Sequence, residues 1–371
     1  MTPFVRACAV MLAMLTATSQ PLAQEAPQWL LSGFASVVGG KVLSGQSDVS
    51  ASYPYCTPPC YVADWANGGV YGTSLTLKPE SRIGLQATYV FNPAWSATAQ
   101  VTSRAVDASP RLEWAYLSYK FGNWDLQLGR KRIPLYFYSD FQDIGVAYPW
   151  ISPPPDLYGW EATNYNGASL RYRGTLGGVG VSSSIFAGSE SVNNARLYTL
   201  YETQPVDIEW TDLMGADLEL NRDWWTWRFA YSQNNMREHY HGDGSVYEQA
   251  MKTYSVAFNA DFGDWFYVSE FGEISRQFGA GVPTRFKVQS LMAGLGYRYG
   301  NWTPTLTLSR FHERDASPDY QADSWNTYGF TLRYDLTPLQ AVKIQFNKTQ
   351  DTAGTFTGNT SVVRVSYDVQ F

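Results

Sequence analysis

Apolar and polar residues alternate with a period of two over many stretches of the chain. In 361–371, three valines, Tyr367 and Phe371 fall on one face, and mostly polar side chains fall on the other. The same alternation recurs in 82–91, 225–231, 253–262, 290–299 and 327–336. Such a pattern predicts β-strands whose two faces meet different environments.

Connections of two kinds separate these strands. Short turns lie at 92–94, 122–123, 175–178, 221–223, 263–264, 300–301 and 337–339. Longer polar segments lie at 41–71, 105–110, 133–166, 188–212, 236–250, 277–286, 313–324 and 351–360. Short turns at one end and long loops at the other are typical of a membrane barrel, and about sixteen strands fit between them. We therefore expect an all-β fold, a transmembrane antiparallel β-barrel in which Ser361–Phe371 pairs with a strand near Trp29–Val38.

Tryptophan follows most of the short turns, at Trp95, Trp124, Trp224, Trp265 and Trp302. A ring of tryptophan at one depth forms the aromatic girdle of a membrane protein, because the indole is amphipathic. A soluble β-sandwich has no reason to repeat tryptophan after each turn on one side. The repeat therefore favours a barrel in a membrane.

The first residues indicate export. One cation, Arg6, precedes an apolar run at 7–15 that is well short of the roughly 20 residues of a spanning helix, and the segment ends on Pro21-Leu22-Ala23. We expect residues 1–23 to be a signal peptide cleaved near Ala23, leaving 24–371 as a single barrel domain. The formal net charge of −6 then becomes one unit more negative, which argues against a nucleic-acid partner.

Two cysteines remain in the exported chain, Cys56 and Cys60. A close pair in an exported protein indicates a disulfide. The alternative, a metal site, has no further cysteine or nearby histidine to complete it, so no metal site is expected there.

The segment 133–166 is long, rich in proline and rich in aromatic residues. Its prolines prevent a simple extension of the neighbouring hairpin. Its aromatic side chains would be costly on an exposed loop and need a surface to pack on. A barrel of about sixteen strands encloses a lumen, so we expect this loop to fold inward against the wall.

Two stretches carry a resemblance to a known family. LGRKRIPLYFYSDFQDIGVAYPWISPPPDLY at 128–158 and NGASLRYR at 166–173 resemble a motif of the Gram-negative outer-membrane porins, in a sixteen-stranded, solute-specific subfamily. In that family the loop between strands five and six forms the constriction. The resemblance implies a water-filled channel for small hydrophilic solutes, without a cofactor, commonly as a homotrimer surrounded by outer-membrane lipid. It also implies that the terminal Phe371 is read by the barrel-assembly machinery.

Strand parity places a set of cations in the lumen: Arg82, Arg104, Arg171, Arg173, Arg228, Arg298, Arg333, Lys343 and Arg364. Most acids fall in predicted loops: Asp48, Asp64, Glu190, Glu202, Asp207, Glu209, Asp243, Glu313 and Asp351, with Asp140, Asp143 and Asp156 in the inserted loop. A basic wall facing an acidic loop would favour anions, small carboxylates among them. The alternative is that these side chains only line a wet lumen.

The base of the inserted loop carries three consecutive cations, Arg130, Lys131 and Arg132. Strict alternation along the strand would direct Arg130 and Arg132 towards lipid, where charged side chains are energetically costly. A bulge at Gly129 would turn them inward. We expect these three residues and Tyr136 to set the constriction. Alternatively, the cations only anchor the loop by pairing with its aspartates.

Two other functions compete with a channel. A barrel enzyme of lipase or protease type needs a histidine beside an acid and a nucleophile, and only His239 and His241, near Asp243, are candidates. Together with His312 they lie in predicted long loops, where solvated histidines are the simpler interpretation. The second alternative is a soluble periplasmic sugar-binding β-protein whose aromatic residues stack on sugars.

Overall fold

Sixteen antiparallel strands form one closed barrel in the computed structural model. The structure describes residues 27–46, 56, 58–107, 109–200, 202–279, 285–314, 322–353 and 359–371. The barrel strands are β1 (Gln28–Gln46), β4 (Arg82–Val90), β5 (Trp95–Arg104), β6 (Arg111–Phe121), β7 (Trp124–Arg132), β8 (Asn164–Leu176), β9 (Val179–Val192), β10 (Val206–Arg222), β11 (Trp225–Tyr240), β12 (Val246–Asp261), β13 (Trp265–Phe278), β14 (Arg285–Tyr297), β15 (Trp302–Arg314), β16 (Ser324–Thr337), β17 (Gln340–Asp351) and β18 (Asn359–Gln370). The predicted fold class and strand number are confirmed.

Smaller elements lie in the connections. Strands β2 (Tyr61–Asp64) and β3 (Gly69–Tyr71) form a separate two-stranded sheet. Among the described residues, three short 3-10 helices span Ser139–Phe141, Gly145–Ala147 and Arg196–Leu200. No helix in the described part of the chain is long and apolar enough to cross a membrane. The expected signal peptide, 1–23, and Asp48 lie outside the described residues.

The first and last strands close the barrel. Their register runs from Phe34 opposite Gln370 to Gln46 opposite Asn359, so the predicted pairing is confirmed. Phe371 extends the ladder, because its N–H donates to the Gly33 carbonyl at 2.9 Å and its carbonyl accepts the Gly33 N–H at 2.6 Å. A Cβ on Gly33 would lie 2.6 Å from the Phe371 ring. Only glycine allows this approach.

The two faces of the barrel differ as the alternation predicts. On β18, Val365 and Tyr367 are exposed on the outer face, whereas Arg364, Ser366 and Asp368 are buried on the inner face. Exposed apolar side chains recur at outward positions around the barrel. An apolar outer band and a polar interior are what a barrel surrounded by lipid requires.

The predicted tryptophan ring is present, and each of its members has an aromatic partner. Four tryptophans begin strands and contact a tyrosine directly opposite, with ring centroids 4.5–5.0 Å apart: Trp95–Tyr119, Trp124–Tyr172, Trp265–Tyr297 and Trp302–Tyr334. Trp224 stacks on Phe262 at 5.2 Å. All five tryptophans are exposed on the outer surface. Cross-strand aromatic pairs of this kind also stabilise the strand pairing.

Several strands are longer than the sequence pattern predicts. The segments predicted as loops at 188–212 and 236–250 are partly strand, and the connections are 193–205 and 241–245. At these ends the outer face becomes polar, with Asn235 and Arg237 on β11, whereas the inner face of β10 carries buried Val206, Ile208 and Trp210. The hydrogen-bonded ladder therefore continues beyond the point at which the outer face stops being apolar.

Candidate functional site

The loop inside the barrel is the main feature of the interior. Residues 133–163 connect β7 to β8, the fifth and sixth barrel strands. Strand β8 begins at Asn164, so the loop ends slightly earlier than the predicted 166. Most aromatic side chains of the loop are buried within the barrel, and Phe137 and Phe141 are partly buried, which confirms the expected inward folding.

Tyr138 lies at the centre of the packed aromatic residues of the loop. Its ring centroid is 5.5 Å from those of Phe141 and Trp150, 6.0 Å from Tyr148 and 6.1 Å from Tyr158. The wall contributes apolar side chains on strands β9 to β14, among them Phe186, Trp210, Met236, Met251, Phe266 and Met292. These apolar side chains interrupt the otherwise polar inner face. That interruption in the sequence pattern could have indicated where the loop packs on the wall.

Wall cations bind the backbone of the loop. Four of them donate to loop carbonyls at 2.5–3.0 Å: Arg82 to Asp143, Arg228 to Pro134, Arg333 to Val146 and Tyr148, and Lys343 to Gly145 and Trp150. An irregular segment cannot satisfy all of its own buried carbonyls, so the wall supplies further donors. The loop is thereby held on both sides of the barrel interior.

A buried cluster of five charged side chains joins the base of the loop to strands β4 to β7. Asp143 accepts from Arg104 at 2.7 Å and from Arg132, and its Oδ1 lies 3.7 Å from Arg82. Glu113 pairs with Arg104 at 2.7 Å and with Arg132 at 3.5 Å. Burial raises the pKa of the Asp143 carboxyl, but Arg104, Arg132 and Arg82 outweigh that effect and hold the pKa well below its usual range.

The three consecutive cations reach different partners. Arg132 is buried and faces the lumen, where it meets Asp143. Lys131 donates to Ser169 at 3.3 Å, and Arg130 pairs with Glu190 at 2.6 Å. Arg132 therefore binds the inserted loop, whereas Arg130 and Lys131 bind the wall.

The bulge expected at Gly129 lies instead on the neighbouring strand. The register of β7 with β6 and β8 is continuous, and Glu113 is the extra residue on β6. Gly129 has φ +133, and a Cβ there would lie 2.2 Å from the Ala115 carbonyl oxygen. The backbone distortion is therefore shared between β6 and β7.

The expected separation of a basic wall from acidic loops is wrong. Acids also lie on the inner face of the strands: Glu113, Asp217, Glu270 and Asp368 are buried there. Glu190, Asp207, Glu209 and Glu313 lie on strands rather than in loops. Buried cations require counter-charges nearby, so the wall carries both signs.

Several cations placed in the lumen by parity have acidic partners. Arg364 pairs with Glu80 at 2.7 Å and Arg298 with Asp261 at 2.9 Å, the latter beyond the end of β14. Lys343 pairs with Asp368 at 3.1 Å, Arg333 with Asp335 at 2.7 Å, Arg228 with Asp217 at 3.7 Å and Arg171 with Asp140 at 3.7 Å. Arg173 is exposed near the turn that ends β8.

Two further residues differ from their predicted roles. Tyr136 is buried in the aromatic core, where its ring lies 5.1 Å from Tyr158 and 5.6 Å from Trp160, so it does not line a gap. Asp156 accepts from uncharged donors, Trp325 at 2.6 Å and Thr327 at 3.4 Å. Burial raises the pKa of the Asp156 carboxyl, and the hydrogen bonds it accepts offset this only in part.

The connection between β1 and β4 also packs into the barrel. It contains the Cys56–Cys60 disulfide and the β2–β3 sheet. Tyr61 and Tyr71 are buried against Val42 and Val362 of the wall. The sequence pattern gave no indication that this second connection would fold inward.

A cavity of about 370 Å³ lies beside the base of the inserted loop, lined by Arg111, Glu113, Arg130, Asn164, Glu190 and Arg196 among others. A second cavity of about 20 Å³ is bordered by Arg82 and Asp143. Glu113 borders the first and Asp143 the second. The buried charge cluster therefore lies between the two cavities.

The histidines occupy strand ends rather than long loops. His239 lies on β11 and His312 on β15, and His241 follows β11 directly. The acid next to His241 is Asp207, with 2.8 Å between Nε2 and Oδ2, not Asp243.

Comparisons with solved structures identify similar barrels. No family model and no curated protein matches the chain. The outer-membrane channel DcaP of Acinetobacter baumannii has a TM-score of 0.61 at 13% identity, covering 96% of this chain and 100% of its own. The outer-membrane protein OmpT of Vibrio cholerae has a TM-score of 0.60 at 10% identity, with 95% and 100% covered. An anion-selective porin from Comamonas acidovorans has a TM-score of 0.58 at 12% identity, with 93% and 100% covered. The chain therefore has the fold of the outer-membrane porins.

Proposed function

We propose that the protein is an outer-membrane porin, a water-filled channel for passive diffusion of small hydrophilic solutes that prefers anions such as small carboxylates. The observation that carries the proposal is the inserted loop, which is bound inside a closed barrel at the charged cluster around Asp143. A loop held in this way narrows the lumen, and the side chains at its base then act on whatever passes.

The charge of the cluster supports the anion preference. Arg82, Arg104 and Arg132 face the carboxylates of Asp143 and Glu113, so cations exceed anions by one. Arginine stays charged at any relevant pH, and its planar fork matches a carboxylate. Charges in a narrow, partly desolvated gap are screened less than charges in bulk water.

The contacts of the inserted loop indicate on which side of the barrel interior solutes pass it. On strands β16 to β18 the wall is sealed to the loop by hydrogen bonds from Arg333, Lys343 and Arg364. On strands β6 to β9 the 370 Å³ cavity leaves space beside the loop base. Its lining includes Arg111, Arg130 and Arg196, which are partly accessible. We therefore place the solute path on this side.

Location and assembly belong to the same proposal. Residues 1–23 direct export and are removed, the barrel inserts in the outer membrane through recognition of Phe371 by the assembly machinery, and three copies associate. The exposed apolar band supports the membrane location. One of the similar structures is described as a trimer form of the Vibrio cholerae protein.

Uptake into proteoliposomes tests the proposal. Purified barrel should admit a small dicarboxylate faster than a diamine of the same length. Arg130→Gln removes a cation of the cavity and should reduce this ratio, whereas Arg237→Gln, on the outer face, should leave it unchanged. Vesicles that admit neither solute, or that admit the diamine faster, would contradict the proposed function.

A further inference from the structure

Two histidines and one aspartate meet where β10 begins and β11 ends. Asp207 on β10 is the direct cross-strand partner of His239 on β11. His241 lies two residues further along, and alternate residues of an extended chain share a face. The His239 and His241 rings are 5.0 Å apart, and His241 Nε2 is 2.8 Å from Asp207 Oδ2.

This cluster lies on the outer face, beyond the apolar band. Along β11 the outward positions change from Phe229 and Tyr231 to Asn235, Arg237 and then His239. The side chain of His241 is 46% exposed and that of Asp207 is 29% exposed. The cluster is therefore open to water at the end of the barrel opposite the tryptophan ring.

The donor set suits a borderline divalent metal ion. Each of the three side chains offers a ligand atom, and these atoms all lie within 4.8 Å of one another. Tetrahedral zinc with bonds of about 2.0–2.1 Å places its ligand atoms about 3.3 Å apart. Closing that difference requires side-chain movement, and the cluster is open to water, with His241 46% exposed. Imidazole nitrogen with one carboxylate oxygen favours zinc, nickel or copper over magnesium or calcium.

Neighbouring hydrogen bonds hold two of the ligands in place. Asp207 Oδ1 accepts the Asn194 N–H at 2.7 Å, which leaves Oδ2 directed at His241. The main-chain N–H of His241 donates to the Pro205 carbonyl at 3.1 Å. Metal ligands are commonly oriented in this way by a second hydrogen bond.

We propose that Asp207, His239 and His241 form a binding site for one borderline divalent cation, with water completing its coordination. The site joins the start of β10 to the end of β11. Asn194, which holds Asp207, also borders the 370 Å³ cavity. A bound cation therefore braces one edge of that cavity.

Zinc titration of the folded full chain in detergent tests the site. We expect one zinc ion per chain, displaced by copper and not by excess magnesium. His239→Ala and His241→Ala should each weaken zinc binding more than about tenfold, and Asp207→Asn should also weaken it. His312→Ala is the matched control, because His312 also lies near a strand end, and it should bind zinc as the parent does.

A change in electrophoretic mobility on heating establishes that each variant is a folded barrel before it is heated. The site is contradicted if the parent binds no zinc, if the His239→Ala, His241→Ala double variant binds zinc with the affinity of the parent, or if magnesium displaces zinc at equal concentration. These outcomes measure zinc binding alone and are distinct from the uptake measurements that test the proposed channel.

Discussion

Arg104 Nη2 lies 2.7 Å from Asp143 Oδ2, and this contact joins the barrel wall to the inserted loop. Arg132 binds the same carboxylate from another strand. Asp143 is thus the point at which two wall arginines share one counter-charge. The position of the loop and the electrostatic field of the narrowing depend on the same residue.

Replacing Asp143 by asparagine should loosen the loop. The change leaves Arg82, Arg104 and Arg132 with only Glu113 as the acid of the cluster, and loss of one partner from a buried charge pair costs about 3–5 kcal/mol. Chymotrypsin should then cleave within 133–163 more than about a hundredfold faster, because cleavage follows the population of the open loop. Asp243→Asn, in an exposed turn, is the control. Equal cleavage of the two variants would show that the cluster does not hold the loop.

The same residue predicts a pH dependence. The pKa of Asp143 is lower in the folded protein than in the unfolded chain. Its stabilising contribution is therefore complete above the ordinary carboxyl value of about 4 and is lost as the pH falls below it. Hydrogen exchange of the loop amides, corrected for intrinsic rates, should show constant protection from pH 7 to pH 5. Protection should decrease towards pH 2, and this decrease should be smaller in Asp143→Asn.

Trp150→Ala should enlarge the open lumen without unfolding the barrel. Trp150 is fully buried between loop and wall, and its Nε1 donates to Thr307 at 2.7 Å. Truncating a buried tryptophan costs about 3–5 kcal/mol, and here the loss falls on the packing of the loop rather than on the strand ladder. Single-channel conductance should rise, whereas Trp302→Ala on the outer face should not change it. A conductance equal to that of the parent would argue that the loop does not limit passage.

Phe371→Ala should reduce insertion into the outer membrane. The residue is exposed, closes the ladder at Gly33, and resembles the terminal residue that the assembly machinery recognises in porins. Leu176→Ala, another exposed apolar residue at a short turn, is the matched control. The amount of heat-modifiable barrel in isolated outer membranes should fall for Phe371→Ala only. Equal amounts for both variants would exclude an assembly role for Phe371.

The barrel could be predicted from the sequence because lipid imposes a simple rule on its strands. Val365 and Tyr367 face outward and Arg364 and Ser366 inward, so parity determined both faces. Trp95 and Trp302 identified the end of the barrel that carries the short turns, because tryptophan prefers the membrane interface. Where lipid ends, the outer face becomes polar, as at Asn235 and Arg237, and the strand ends were predicted too early.

The interior was harder to predict, because long-range contacts determine it. The partners of Asp143 come from three strands, β4, β5 and β7, and of these partners the sequence suggested Arg132 alone, at the base of the loop. Tyr136 was expected at the constriction because it lies near Arg132, yet it packs on Trp160 in the aromatic core. Glu113 was missed because the bulge that places it lies on a different strand from the one the sequence suggested.

The reversal potential of the purified protein in a planar bilayer under a potassium chloride gradient tests the proposed channel most directly. An anion-preferring channel gives discrete conductance steps and a reversal potential displaced towards the chloride equilibrium value. Because the arginines at the narrowing remain charged, that displacement should persist from pH 7 to pH 9. The absence of conductance steps, or a reversal potential displaced towards the potassium value, would contradict it.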